Sequence, residues 1–177
     1  MTREQFEELQ PLIRQWIGFT LEFHAREARP VEEMNFPRLG KYFSAETLAF
    51  AKFVAVQNCP VPPLSAMGLE QFSDFEAIVP AGITYLDTYF IQSDLRGDES
   101  LHFHELIHIL QWRILGAEEF LFRYANGLEE FGYHDSPLEE MAYDHQFRFE
   151  SSMKPYDVEL KVQRALGDGD SPLISRA

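Results

Sequence analysis

The stretch that most constrains this chain is Leu101–Gly116, LHFHELIHILQWRILG. It reads as one amphipathic helix, with Asp98 or Ser100 as its N-cap and Gly116 suited to the C′ position that closes it. Within it His104-Glu105-Leu106-Ile107-His108 places two histidines four residues apart, on one face and one turn apart. Their imidazoles can therefore converge on a single ion without bending the backbone. Ile107, Ile109, Leu110 and Ile114 make most of the remaining surface apolar, so the helix is expected to be buried on several sides. Buried polar side chains need partners, because an unpaired polar group in the interior costs several kcal/mol. The bland alternative is a core helix whose histidines bond backbone carbonyls and whose Glu105 reaches solvent.

A divalent zinc ion accepts neutral imidazole nitrogens. Glu105 lies about 100° around the helix from His104, within reach of a water on that ion. Such a site lowers the water's pKa to about 7, and the glutamate takes the proton as the water attacks a carbonyl. His102 lies about 200° from His104 and is expected to point elsewhere.

HELIHILQW, followed by EEFLFRYANG and SPLEEMAYD, resembles the active-site region of zincin metallopeptidases. The resemblance covers about Gly82 to Asp144 and is closest to the gluzincin branch, where a glutamate on a later helix is the third ligand. The metzincin branch would put glycine at position 111 and histidine at position 114, where this chain has Gln111 and Ile114. The resemblance implies metal ligation by His104, His108 and Glu139, within Glu139-x-x-Ala142. Glu139 also fits the third position of a capping box begun by Ser136, which is its structural alternative. Glu140 and His134 are rival ligands. The chain departs from the branch where an aspartate often follows four residues after the ligand: Tyr143 stands there, and Asp144 one residue later. The resemblance further implies a Tyr or His that stabilises the developing oxyanion; Tyr133 and His134, in a loop, are preferred over Tyr143 and His145.

With 177 residues, 45% apolar and 25% charged, the chain suits one globular domain. The expected fold is α+β and zincin-like, predominantly helical with a small β-sheet packed on the active-site helix. Residues 1–80 would supply N-terminal helices and a first strand, 82–153 the metal-binding core, and 167–177 a flexible tail. A helix is expected over about residues 3–27, broken or kinked at Pro11. Another begins at Ser44 and gives way to a strand at Phe53–Val56. Gly82–Ile91 reads as one strand; the resemblance implies that it lines the cleft, and a plain sheet strand is its alternative. After the motif helix come a short helix from Ala117 to Asn126 closed by Gly127, a loop, a helix from Ser136-Pro137 to about Ser152, and a last helix over Tyr156–Leu166.

A net charge of −14, from 29 acidic and 15 basic residues, disfavours nucleic acid and anionic membranes as partners. The single cysteine, Cys59, excludes an intrachain disulfide and suits a reducing compartment. It is expected to be a small buried residue rather than a thiolate switch on the metal. With no signal peptide and no spanning segment in view, the expected location is cytoplasmic. The function implied is a zinc-dependent metallopeptidase acting on a peptide or protein, with Glu105 as general base. The alternative is an inactive zincin-like module that binds metal or a protein partner. A di-iron bundle is set aside, because Glu99-x-x-His102 and Glu105-x-x-His108 share one helix. A mononuclear iron site fits the same donors, but a glutamate beside the first histidine favours hydrolysis.

Overall fold

The computed structural model describes residues 1–151 and 154–167. Its axis is the motif helix, α4 (Glu99–Phe131), in which every residue from His102 to Trp112 is buried. An element enclosed all round must sit between layers. Asp98 starts it by accepting from the backbone of Ser100 and Leu101. Phe103, Leu106, Ile107 and Ile109 have no exposed surface at all. Burying a side chain of this kind stabilises the fold by ~1.5–3 kcal/mol.

One face of α4 is covered by a four-stranded mixed sheet of order β1-β2-β4-β3, with β1 at Arg29–Pro30, β2 at Lys52–Val56, β3 at Gly82–Tyr85 and β4 at Thr88–Gln92. β2 pairs parallel to β4, while β1–β2 and β3–β4 are antiparallel. Gly82–Ile91 is therefore a hairpin, not the single strand expected. Leu86 and Asp87 make its turn, with Leu86 at φ 58°, and aspartate is a turn former rather than a strand former. The hairpin splits the work of this stretch. β4 buries Tyr89, Phe90 and Ile91 at the sheet centre, and β3 lies against α4.

Another face of α4 meets α5 (Pro137–Glu150) and α6 (Val158–Gly167). The α+β arrangement is thus as expected. α1 (Arg3–Phe23) runs as one helical element through Pro11, where two helices or a kink were expected, and its Thr2–Gln5 capping box is formed. A short helix, α2 (Ala45–Phe50), capped by Ser44, leads into β2, and a one-turn helix, α3 (Ser73–Glu76), precedes the hairpin. The tail expected beyond Gly167 lies outside the described residues.

Gly116 closes the motif segment as expected, whereas Gly127 departs from its expected role. Gly116 has non-helical angles (φ 74°, ψ 165°), yet the chain re-enters a helix at once, so α4 is two segments across a kink. Gly127 does not end a helix. It is buried inside the second segment, where an added Cβ would lie 3.0 Å from Ser136 Cβ and 3.1 Å from Pro137 Cδ. Its missing side chain lets the start of α5 approach α4.

Candidate metal centre

His104, His108 and Glu139 converge between α4 and α5. One ligand atom from each lies within 4.8 Å of the others, and all three residues are buried. The two Nε2 atoms are 3.1 Å apart, and Glu139 Oε2 is 3.4 Å from each. This His-His-Glu group can hold a metal ion.

The rings are oriented from behind by two glutamines that sequence reasoning missed. Gln146 on α5 donates through Nε2 to Ser100 Oγ (3.1 Å) and Glu150 Oε1 (3.0 Å). Its Oε1 must then be the acceptor that meets His104 Nδ1 at 3.0 Å. Gln111, one turn beyond His108, donates through Nε2 to the Leu138 carbonyl (2.9 Å) and accepts from His108 Nδ1 at 2.8 Å. With Nδ1 donating in both rings, each neutral imidazole carries its lone pair on Nε2, facing its partner. Two lone pairs and a carboxylate in a buried space repel one another unless a cation joins them.

Glu139 shows the same need. Its Oε1 accepts from Tyr124 Oη at 2.7 Å, and its buried Oε2 has no hydrogen-bond partner. A half-satisfied buried carboxylate is costly, and a metal bond would complete it. The capping-box alternative is not formed: Ser136 is the N-cap of α5, but its backbone N–H faces the Tyr133 carbonyl, and its side chain makes no cap bond. Without metal, His108 and Glu139 favour each other's charged forms. Burial alone would lower the pKa of His108, but the carboxylates of Glu139 and Glu105 outweigh it and carry it up to about 9. Burial works against ionised Glu139 too, yet His108 and His104 hold its carboxyl below the usual range.

Glu105 is buried beside the cluster. Thr84 Oγ1 donates to its Oε2 at 2.6 Å, and Gly82 leaves room for Oε1, which an added Cβ would meet at 2.3 Å. Burial raises the Glu105 carboxyl pKa, with His104, His108 and the Thr84 hydrogen bond opposing it. The bland alternative, Glu105 reaching solvent, does not hold.

Glu140 and His134, the rival ligands, are exposed. His134 packs its ring near Tyr133 (5.0 Å) and Tyr143 (5.8 Å), and Tyr143 lies against His104 with centroids 4.6 Å apart. Burial pushes the phenols of Tyr133 and Tyr143 upward. His145 Nδ1 meets Tyr156 Oη at 2.6 Å instead. His102 is a structural residue: Nε2 donates to the Arg96 carbonyl at 2.9 Å, and Nδ1 meets the Tyr89 hydroxyl. Cys59 is buried 3.5 Å from the Ala81 carbonyl, and desolvation, then Glu105, push its thiol up to about 12. Such a thiol is a small packed residue, as expected.

Compared with known proteins, the chain matches no family model, no curated protein and no solved structure. The reading of the centre therefore rests on its own geometry. Among the described residues, no helix is long and apolar enough to cross a membrane.

Proposed function

We propose that this protein is a zinc-dependent hydrolase with a zincin-like site, which cleaves amide bonds of a peptide or protein. The observation that carries the reading is the buried Oε2 of Glu139, which has no hydrogen-bond partner and lies 3.4 Å from two imidazole nitrogens whose rings are already held from behind. His104, His108 and Glu139 are the donors, and the set of two nitrogens and one carboxylate suits a catalytic zinc with an open position. When bound, the metal supplies Lewis acidity, acidifying a water and polarising a carbonyl.

Glu105 acts as the base. Thr84 occupies Oε2, so Oε1 is the atom that accepts the attacking water's proton and later passes it to the leaving amine. Tyr133, which lines a cavity beside Glu105 and Glu139, and Tyr143, whose ring lies 4.6 Å from that of His104, are the hydroxyls assigned to a developing oxyanion. This favours the Tyr133 of the preferred loop pair over His134.

The test is metal analysis of the purified protein, with cleavage of a generic peptide library. One equivalent of zinc and cleavage are expected. Glu105→Gln should keep the zinc and lose about 10²–10⁴-fold in turnover. An active protein whose Glu105→Gln variant cleaves at the same rate would sink the mechanism. A zinc-loaded wild type with no turnover on any substrate would favour a binding module.

A further inference from the structure

Beside the His104–His108–Glu139 cluster lies a cavity of about 90 Å³. One water needs roughly 10–15 Å³ of such space, so several heavy atoms fit. Glu105, His108 and Glu139 line it, together with Leu9 and Ile13 of α1 and Leu121 and Leu128 of the second segment of α4. Away from Glu105 and Glu139, the side-chain polar groups of Thr84, Tyr85, Trp112 and Tyr124 are already engaged. Tyr85 Oη donates to the Pro60 carbonyl (2.8 Å), and Trp112 Nε1 to the Thr84 carbonyl (3.2 Å). Tyr124 Oη and Thr84 Oγ1 are held by Glu139 and Glu105.

Only the outer edge of β3, the edge strand of the sheet, offers backbone partners along this cavity, so a peptide threaded past it between α1 and α4 would strand its remaining N–H and C=O groups, at about 1–3 kcal/mol apiece. An aliphatic chain loses nothing there and gains by leaving water. We infer that the cavity takes the acyl chain of the substrate, and that the bond cleaved is the amide of an aliphatic carboxylic acid, its carbonyl at the cluster and its chain between α1 and α4. This inference rests on the hydrolase reading and narrows its substrate from a backbone amide to an N-acyl amide, which a peptide or protein can carry. Cleavage is hydrolysis: water adds its oxygen to the acyl carbon, the C–N bond breaks, and the proton goes through Glu105 to the amine.

The test uses hydroxamic acids, whose head chelates zinc and whose chain can be lengthened. Affinities of acetohydroxamate, butyrohydroxamate and hexanohydroxamate are measured on the zinc-loaded protein by calorimetry. The expected gain is about fourfold per methylene, the factor equivalent to ~0.8 kcal/mol. Ala125→Phe, which fills the cavity wall, should abolish the gain while acetohydroxamate still binds. Acetohydroxamate that binds with no gain for the longer chains overturns the inference, and so does a gain that stops at butyrohydroxamate, as a pocket for a peptide side chain would give. Acetohydroxamate that fails to bind counts instead against the metal centre. Hexanol, which has no chelating head, tests the cavity alone on metal-stripped protein. Saturable binding that Ala125→Phe removes supports the chain's place, and no saturable binding overturns it.

Discussion

Tyr124 donates its hydroxyl to one oxygen of Glu139 at 2.7 Å and leaves the other oxygen free, 3.4 Å from both imidazole nitrogens. Tyr124 sits on the second segment of α4, beyond the Gly116 kink, and Glu139 in the first turn of α5. The kink and the close approach at Gly127 therefore have a local consequence. They bring a phenol to the back of a carboxylate whose front faces the centre. A carboxylate held at one oxygen presents a single, directed donor.

Tyr124→Phe should keep the fold and weaken metal binding by about 10–100-fold, the usual cost of losing an outer partner of a ligand. The loss is purely of orientation, because the ring still fills its place against Phe120 and Phe75. Competition with a chromophoric chelator measures it. An unchanged affinity would show that the hydrogen bond does not orient Glu139.

Gly82→Ala should act on Glu105 rather than on the metal. The new Cβ would lie 2.3 Å from Oε1 and 2.8 Å from Cδ of Glu105, so the carboxylate must move. Displacing a catalytic group by about 1 Å can cost on the order of 10²-fold in rate. The expected result is full zinc content with turnover reduced by that order. Zinc content and hydrolysis, measured on the same sample, check it; loss of zinc with loss of turnover would mean that the strand, not the carboxylate, had shifted.

The motif helix was legible because its evidence is local. Two histidines at helical spacing and a dense apolar surround predict a buried helix, and His102–Trp112 are all buried. Ser44 and Ser136 were likewise readable as N-caps. What was not legible came from distant segments meeting. Gly127 reads as a stop in the sequence, but its cause is Pro137, which packs where a side chain would be. Gln146 touches His104 across 42 positions, and Thr84 reaches Glu105 across 21, with no pattern in the chain to announce either. Gln111 did carry a signal: it lies three residues after His108, on the same helix face, and an amide there can reach the ring. The hairpin was missed because Ile, Thr, Tyr and Phe on both sides of Asp87 concealed one turn residue in a strand-like run.

Gln111→Leu should damage both the centre and the join between α4 and α5. It removes the acceptor of His108 Nδ1 and leaves the Leu138 carbonyl without the amide that donates to it. A buried polar group stripped of its partner costs about 1–3 kcal/mol. Urea unfolding of the metal-free protein should show a loss of that size, and the zinc affinity should fall as well, since the ring is free to turn. A variant as stable as the wild type in the metal-free state would mean that these bonds are replaced by others.

Stability of the metal-free protein should depend on pH in a direction set by the cluster. The folded pKa of His108 is raised from 6.5 to about 9, so its contribution is fully present below about 6.5 and is lost as pH rises through 9. Glu139 is shifted the other way, down from 4.5, so its contribution is present above about 4.5 and lost as pH falls further. The attraction between them is one interaction seen from two sides and is counted once, at about 3 kcal/mol for the His108 shift. The raised pKa of Glu105 adds to the decline above its ordinary range. The stabilisation should therefore be greatest between about pH 4.5 and 6.5 and weaken toward pH 9. Zinc should reverse the trend, because a proton on Nε2 competes with the metal, and the stability that zinc adds should grow with pH. Urea titrations of chelator-treated and zinc-loaded protein at pH 5.5, 7 and 9 read both slopes. In His108→Ala the metal-free decline should shrink; a decline of the same size in that variant would place its origin outside the cluster.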